Sequence, residues 1–546
     1  MICIRSRNTP IHILRVLFSV SLLSWCAFAA VRDVTTFGAT GDGSHDDTAA
    51  INSAIAAMGN GDELLFPCAS TGTYTVSSSL RITVQNATLS GATGCSGGRV
   101  KIQASFSGGT LFVVGGGSIS SATVLTANAA ELSNTFQANL AAIGVGAGDY
   151  VNLQQGGIDG ASGNTSPTSC DSAGPCRGEV LKIASVSGNT ATIDTSVQTT
   201  PGLHFAFNTG NGANVGKLLN VVSGCSVHDL TFDGSGTVQV GVSLQSAVDC
   251  SVSNLTVQNF TGSALNESGG YNNSWSSISV NHAGGNGGGN GSAVNLQIHG
   301  HDQISAVTLS NLNTHGFGFF IGGGADSTIG DLTVDAAGTS QARAVKANAE
   351  AYSTWNNLTE RNGDPTYNGL SLEYYASHNT FNNCSVTNNG SGGASGKGIN
   401  TFGNYNQFNT FNDCTVTGNG GWAFGQGQSA LGSFQDSNTT INGGTWQASN
   451  SSDDVLHLTA DSAYVHNATI GGAAANGISL TGSNGCINSN IFDSGPSVGI
   501  SVSGNGDVGS GNTLNGLSSN LPAGTCGSST GGGPPAPPKG LAAVVK

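Results

Sequence analysis

Charge is scarce in this chain, and positive charge is scarcer. Charged residues make up 9% of 546 positions, and 16 Lys and Arg face 31 Asp and Glu. Such an acidic balance argues against nucleic acid as a ligand. It disfavours a polyanionic partner too, unless basic residues gather locally or a metal bridges. Aromatic residues reach only 6%, and long helical periodicity is rare, which points away from helical architectures. Beyond the first 30 residues no apolar run is long enough to span a membrane.

Glycine is abundant instead, at 84 residues, as suits a β-rich chain with many turns. The N-terminus reads as an export leader, residues 1–29. Arg5, Arg7 and Arg15 precede the apolar run "VLFSVSLLSWCAF", and Ala27-Phe28-Ala29 offers a small-x-small cleavage site. The expected product is secreted or periplasmic. Of 12 cysteines, Cys3 and Cys26 fall in the leader. An even remainder in an exported protein suggests disulfides. Sequence order offers Cys68–Cys95, Cys170–Cys176, Cys225–Cys250, Cys384–Cys414 and Cys486–Cys526. These spacings fit no zinc pattern.

One phrase recurs from Cys225 onward: "CSVHDLTFDG", "CSVSNLTVQNF", "TIGDLTVDAAG", "TFNNCSVTNNG", "TFNDCTVTGNG". Its form is apolar-x-x-apolar-Thr/Ser-apolar, followed by turn residues. The first apolar position falls at Val227, Val252, Trp275, Ile304, Ile329, Trp355, Phe381, Phe411 and Ile441, with fainter copies from Val465, Ile487 and Leu514. Between copies lies a second strand-like phrase, such as "GVSLQ", "GLSLEYY", "GINTFG" and "GISLTG". Short strands repeating about every 25 residues describe the turns of a parallel β-helix, each burying its apolar positions against its neighbours. Cys225 and Cys250 hold one repeat position a turn apart, as do Cys384 and Cys414.

The expected order is leader 1–29, N-terminal cap and first turns 30–124, an inserted small β subdomain 125–215, the parallel β-helix 216–520, and a Gly/Pro-rich tail 521–546. Within the insertion, "EVLKIASVSGNTATIDTSV" reads as two strands around a Gly-Asn turn.

"GATGDGSHDDTAAINSAI" invites a metal-loop reading, but counting from Asp42 puts Asp47 and Ser53 where a calcium loop needs Gly and Glu. A short capping helix fits better. Asp46 or Asp47 would cap it, with Ala50, Ile51, Ala54, Ile55 and Met58 on one apolar face. "VTTFGATGDGSHDDTAAINSAI" followed by "ELLFPCASTGTYTVSSSL" closely resembles the N-terminal signature of the pectate lyase-like superfamily, which includes rhamnogalacturonase-, polygalacturonase- and epimerase-type proteins and phage tailspikes. The resemblance implies an all-β, right-handed parallel β-helix and a polysaccharide partner. It names the architecture better than the reaction.

Between Lys217 and Lys539 only Arg343, Lys346, Arg361 and Lys397 are basic, and that clustering is the strongest site signal. On successive turns the strand phrases carry His315, then Arg343 and Lys346, then Glu373 and Tyr374, then Lys397, then Trp422. At about 4.8 Å per turn, this run spans roughly 20 Å, enough for several sugar units. The plain alternative is an ordinary surface with ion pairs such as Lys346–Glu373.

Polygalacturonase-type hydrolysis would resemble "THG" at 314–316 and "RAVK" at 343–346, but the family's aspartate motifs are missing from the preceding turns, where only Glu267 is acidic. Glu373 and Asp454 lie three turns apart, about 14 Å, too far for an inverting pair. Lyase or epimerase chemistry asks for a cation against a uronate carboxylate and a base at C5. The expected catalytic set is therefore His315, Arg343, Lys346 and Glu373, with Tyr374, Lys397 and Trp422 binding substrate. Calcium remains a candidate cofactor through Asp229, Asp233, Asp331 and Asp335, and His299-Gly300-His301-Asp302 a weaker metal motif. A hydrolase with unfamiliar carboxylates and a non-catalytic adhesin are the rivals.

Overall fold

The structure, a computed structural model, describes residues 29–95, 98–156, 176–284, 291–312, 317–337, 343–363, 368–389, 396–403, 405–426 and 436–526. Residues 1–28 of the leader, Cys170 and residues 527–546 of the C-terminal tail lie outside them. The chain winds into a right-handed parallel β-helix. From Thr328 to Phe492 each turn gives two short strands to a 26-stranded sheet and one strand to a 13-stranded sheet; in the three turns before, the two short strands run together as one.

The recurring phrase is the reason. Its first apolar residues stack in register, as in Trp275↔Ile304, Trp355↔Phe381 and Phe411↔Ile441. All of them are buried. Two positions later each turn bends through one left-handed residue, including Asp229, Asn254, Asp331, Asn357, Asn383 and Asp413. Asp and Asn tolerate that conformation better than other non-glycine residues. Their side chains then bond across turns, Asn357 Nδ2 donating to Asp331 Oδ1 at 2.9 Å. A second ladder runs Asn442 to Asn412 to Asn382 to Asn356, each amide donating to the preceding carbonyl at 2.9–3.2 Å.

The repeat holds through Ile487, but not at Leu514. The strand partner of Ile487 is Gly509. A Cβ at Gly509 would fall 2.0 Å from the Ile487 carbonyl oxygen, so the closing turn admits no apolar side chain there. Leu514 packs against the core from outside that register.

At the start, Thr48–Ala56 forms the helix, burying Ile51 and Ala54. Asp46 caps it, accepting from the Thr48 N–H at 3.0 Å. Asp47 occupies the N-cap position but turns away, accepting from the N–H groups of Thr40 and Gly41. Asp42 closes the turn, accepting from the N–H groups of Ser44 and His45 at 2.8 Å. The opening aspartates are structural.

Between the early and later turns stands a seven-stranded antiparallel sheet containing the hairpin Cys176–Ser187 and Thr190–Ile193. It docks on a corner of the β-helix. There the Thr199 N–H donates to Asp326, and Tyr352 donates to Glu131 at 2.5 Å. Disulfides join Cys68–Cys95, Cys225–Cys250, Cys384–Cys414 and Cys486–Cys526.

Candidate active site

Five consecutive strands of the 13-stranded sheet are Phe317–Ala325, Arg343–Ala351, Leu370–Glu373, Ile399–Phe402 and Phe424–Gln426; Arg343, Lys346 and Glu373 lie on them, and Tyr374, Lys397 and Trp422 lie just beyond their ends. In each strand alternate residues, such as Val345, Ala347, Leu370 and Leu372, enter the core. The intervening positions form two columns on the outer face. One stacks Phe320, Lys346, Ser371, Asn400, Gly425 and His457. The other stacks Gly322, Asn348, Glu373 and Phe402.

Lys346 and Glu373 meet between the columns, Nζ to Oε2 at 2.6 Å. Ser371 donates to the other carboxylate oxygen at 2.9 Å. Lys346 is only 1% exposed, its ammonium 4.8 Å from the Phe317 ring centre. Beside it, Asn348 is wholly buried, and among the described residues neither of its amide atoms nor the Asn400 side-chain oxygen has a hydrogen-bond partner. Buried amides are normally satisfied, so these polar atoms stand out beneath the outer face. Arg343 opens the strand that carries Lys346 and Asn348, paired in register with Phe317. His315 lies outside the described residues.

Tyr374 follows Glu373 with φ at 39° and stands edge-on to Phe402, centroids 5.9 Å apart. Phe402 is 41% exposed, and sequence reasoning missed it. Trp422 does not offer an open platform. Lys397 Nζ lies 4.1 Å from its centroid, and the His457 ring stacks at 4.4 Å. Two groups that close must occupy opposite faces of the indole, so neither face is free for a sugar. Burial lowers the Lys397 pKa, and Asp453 partly opposes this.

His457 was also missed, although "DDVLH" contained the signal, a carboxylate three residues before a histidine. His457 Nδ1 lies 2.8 Å from Asp454 Oδ2. Asn476 donates to the other Asp454 oxygen at 2.6 Å. Burial raises the Asp454 pKa, but these bonds outweigh it and hold the carboxyl below its ordinary range.

The metal candidates are engaged otherwise. His299 and Asp302 are wholly buried at a corner, where His299 Nε2 faces Glu350 at 3.0 Å and Nδ1 faces Asp302 at 3.2 Å. His301 faces Asp326 at 3.1 Å. Asp229 and Asp331 accept asparagine amides, and Asp335 pairs with Arg361. Lys101 and Gln258 approach Asp233. No metal-binding cluster of three or more such side chains occurs among the described residues. Glu267 is buried, bonded to Asn273 and Trp275, and so gives the outer face no carboxylate.

Residues 31–289 match the family described as rhamnogalacturonase A/epimerase, pectate lyase-like. With the parallel coil, that match supports a pectate lyase-like β-helix. Among solved structures it resembles the tailspike protein gp49 of Pseudomonas phage LKA1, with TM-score 0.51, 16% identity and coverage of 90% of this chain and 83% of that one. It also resembles the mannuronan C-5 epimerase AlgE4 A-module of Azotobacter vinelandii, with TM-score 0.42, 13% identity and coverage of 90% and 99%. The tailspike Gp54 of Acinetobacter baumannii phage AP22, solved with a capsular saccharide, matches at TM-score 0.38 and 13% identity over 90% and 74%. At these identities the likeness speaks for the fold alone. No curated protein matches in sequence. For this pectate lyase-like chain the disulfides fit an extracellular or periplasmic setting, and no described helix is long and apolar enough to cross a membrane.

Proposed function

We propose that this protein is secreted and acts on a uronate-containing, pectin-like polysaccharide by β-elimination or epimerisation, along the outer face of the 13-stranded sheet. The observation that carries the reading is the buried Lys346 ammonium beside the unpartnered Asn348 amide. A fixed cation next to free amide groups suits a sugar carboxylate and its neighbouring hydroxyls. Both reactions begin by removing the C5 proton, and neutralising the carboxylate makes that proton more acidic. The inserted antiparallel sheet, as a unit over residues 125–215, would brace one side of this face.

Binding without turnover is the second reading, and Lys346 itself favours it, because Glu373 already neutralises its charge at 2.6 Å. Product analysis on pectic and alginate-type polymers separates the two. The proposed chemistry predicts ultraviolet absorbance from unsaturated ends, or altered C5 configuration without chain cleavage. New reducing ends without that absorbance would mean hydrolysis. Retention of polymer with no product would leave a binding protein. Lys346→Ala is expected to raise KM by roughly tenfold or more, as for loss of one charge-assisted contact.

A further inference from the structure

The uronate reading needs a base, and Lys346 does not supply one: its amine is shut in and paired with Glu373. Four turns further along the same column stands His457, roughly 19 Å away at the spacing of stacked strands. That distance puts the two on different sugar units of one polymer.

His457 is set up for proton transfer. Its Nδ1 faces the Asp454 carboxylate at 2.8 Å, and the carboxylate is fixed from its other side by Asn476. The Nδ1 proton therefore points at Asp454, leaving the lone pair on Nε2, which has no hydrogen-bond partner among the described residues. A base whose far nitrogen is aligned by a third group is the arrangement general-base catalysis requires. The ring is 26% exposed, the carboxylate 13%, so the base reaches solvent and its positioning partner barely does.

The imidazole plane is fixed by packing. At Gly425 the column has no side chain, and a Cβ there would fall 1.9 Å from the Trp422 indole. Trp422 folds into that gap and stacks on His457 at 4.4 Å. Across the indole sits Lys397. One cation and one base thus flank a single aromatic wedge. The charged groups facing this centre are Asp454, Lys397 and Asp453.

We propose that His457 accepts the C5 proton of a uronate unit and that Asp454 positions it. This rests on the uronate reading above. In elimination, His457 Nε2 takes the C5 proton, and the C–H electron pair forms the C4=C5 double bond. The C4–O bond breaks, the leaving oxygen takes a proton from water, and the imidazolium returns its own to solvent. In epimerisation the C4–O bond stays, the carbanion takes a proton from water on the opposite face, and the imidazolium passes its proton to the hydroxide so formed.

The test uses the full chain on a uronate polymer in deuterated water, reading unsaturated ends and deuterium at C5. His457→Ala is expected to lower kcat by about 10²-fold or more, with KM little changed and activity partly restored by added imidazole. Asp454→Asn should lower kcat less and displace its pH profile. Wild-type turnover with a fully active, folded His457→Ala overturns this proposal alone. A wild type that neither eliminates nor exchanges C5 hydrogen on any uronate polymer overturns both this proposal and the reading it rests on. A loss in His457→Ala that imidazole leaves unrestored, with KM raised in step, assigns the residue to structure and also overturns it.

Discussion

Glu360 stands in a core column between Val334 and Val386. Asn389 donates to one of its oxygens at 2.6 Å, and the other oxygen has no partner among the described residues. Burial pushes its pKa from 4.5 to about 8, against the Asn389 bond and with some help from Asp335. The folded chain therefore holds this proton where the unfolded chain has lost it. The resulting stability is complete below about pH 4.5 and is lost as pH rises through about 8. A shift of that size is worth on the order of 4 kcal/mol. Glu360→Gln should flatten this dependence and stabilise the protein above pH 8, as read by denaturant unfolding from pH 5 to 9. The residue was visible in the sequence as the one acid in an apolar slot of "TWNNLTERNG". Its unpartnered oxygen was not, because that depends on which side chains of the next turn reach it.

Turns are the elements that carry stability, since each touches only its neighbours. Trp355, Phe381 and Phe411 stack down the core with centroids 5.2 and 5.0 Å apart. Phe381→Ala should cost about 3–5 kcal/mol, with lost hydrogen-exchange protection concentrated in the flanking turns. At the corner after it, Asn383 has φ of 55°. Asn383→Val should cost about 1–2 kcal/mol by strain alone, while Asn383→Gly should cost little. Register was legible because the first apolar residue of each phrase marks the same point of each turn. It failed at Leu514, where a crowded backbone demanded Gly509 and broke the pattern. The candidate site was half legible. Clustered basic residues pointed to adjoining strands of one sheet, and the Lys346–Glu373 pair was foreseeable at one turn's separation. Burial of Lys346 and the empty Asn348 amide depend on how the outer face is covered, which spacing does not encode. The His457–Asp454 pair was near in sequence, but only Gly425, by admitting the Trp422 indole, shows what holds it.

At the scale of the molecule, the β-helix is a ruler, and the outer face of one sheet lays polar side chains along it at each turn. A polymer bound there would meet the Lys346 centre and the His457 centre at once. Oligomers too short to span roughly 19 Å should therefore be turned over with a much higher KM than long chains. That claim reduces to one event, breakage of the uronate C5–H bond. Incubating the wild-type chain with pectic and alginate-type polymers in deuterated water, then reading C5 by NMR, tests it directly. The account predicts deuterium at C5 or loss of that hydrogen into a C4=C5 double bond. Bound polymer recovered with its C5 hydrogen and configuration intact would contradict it.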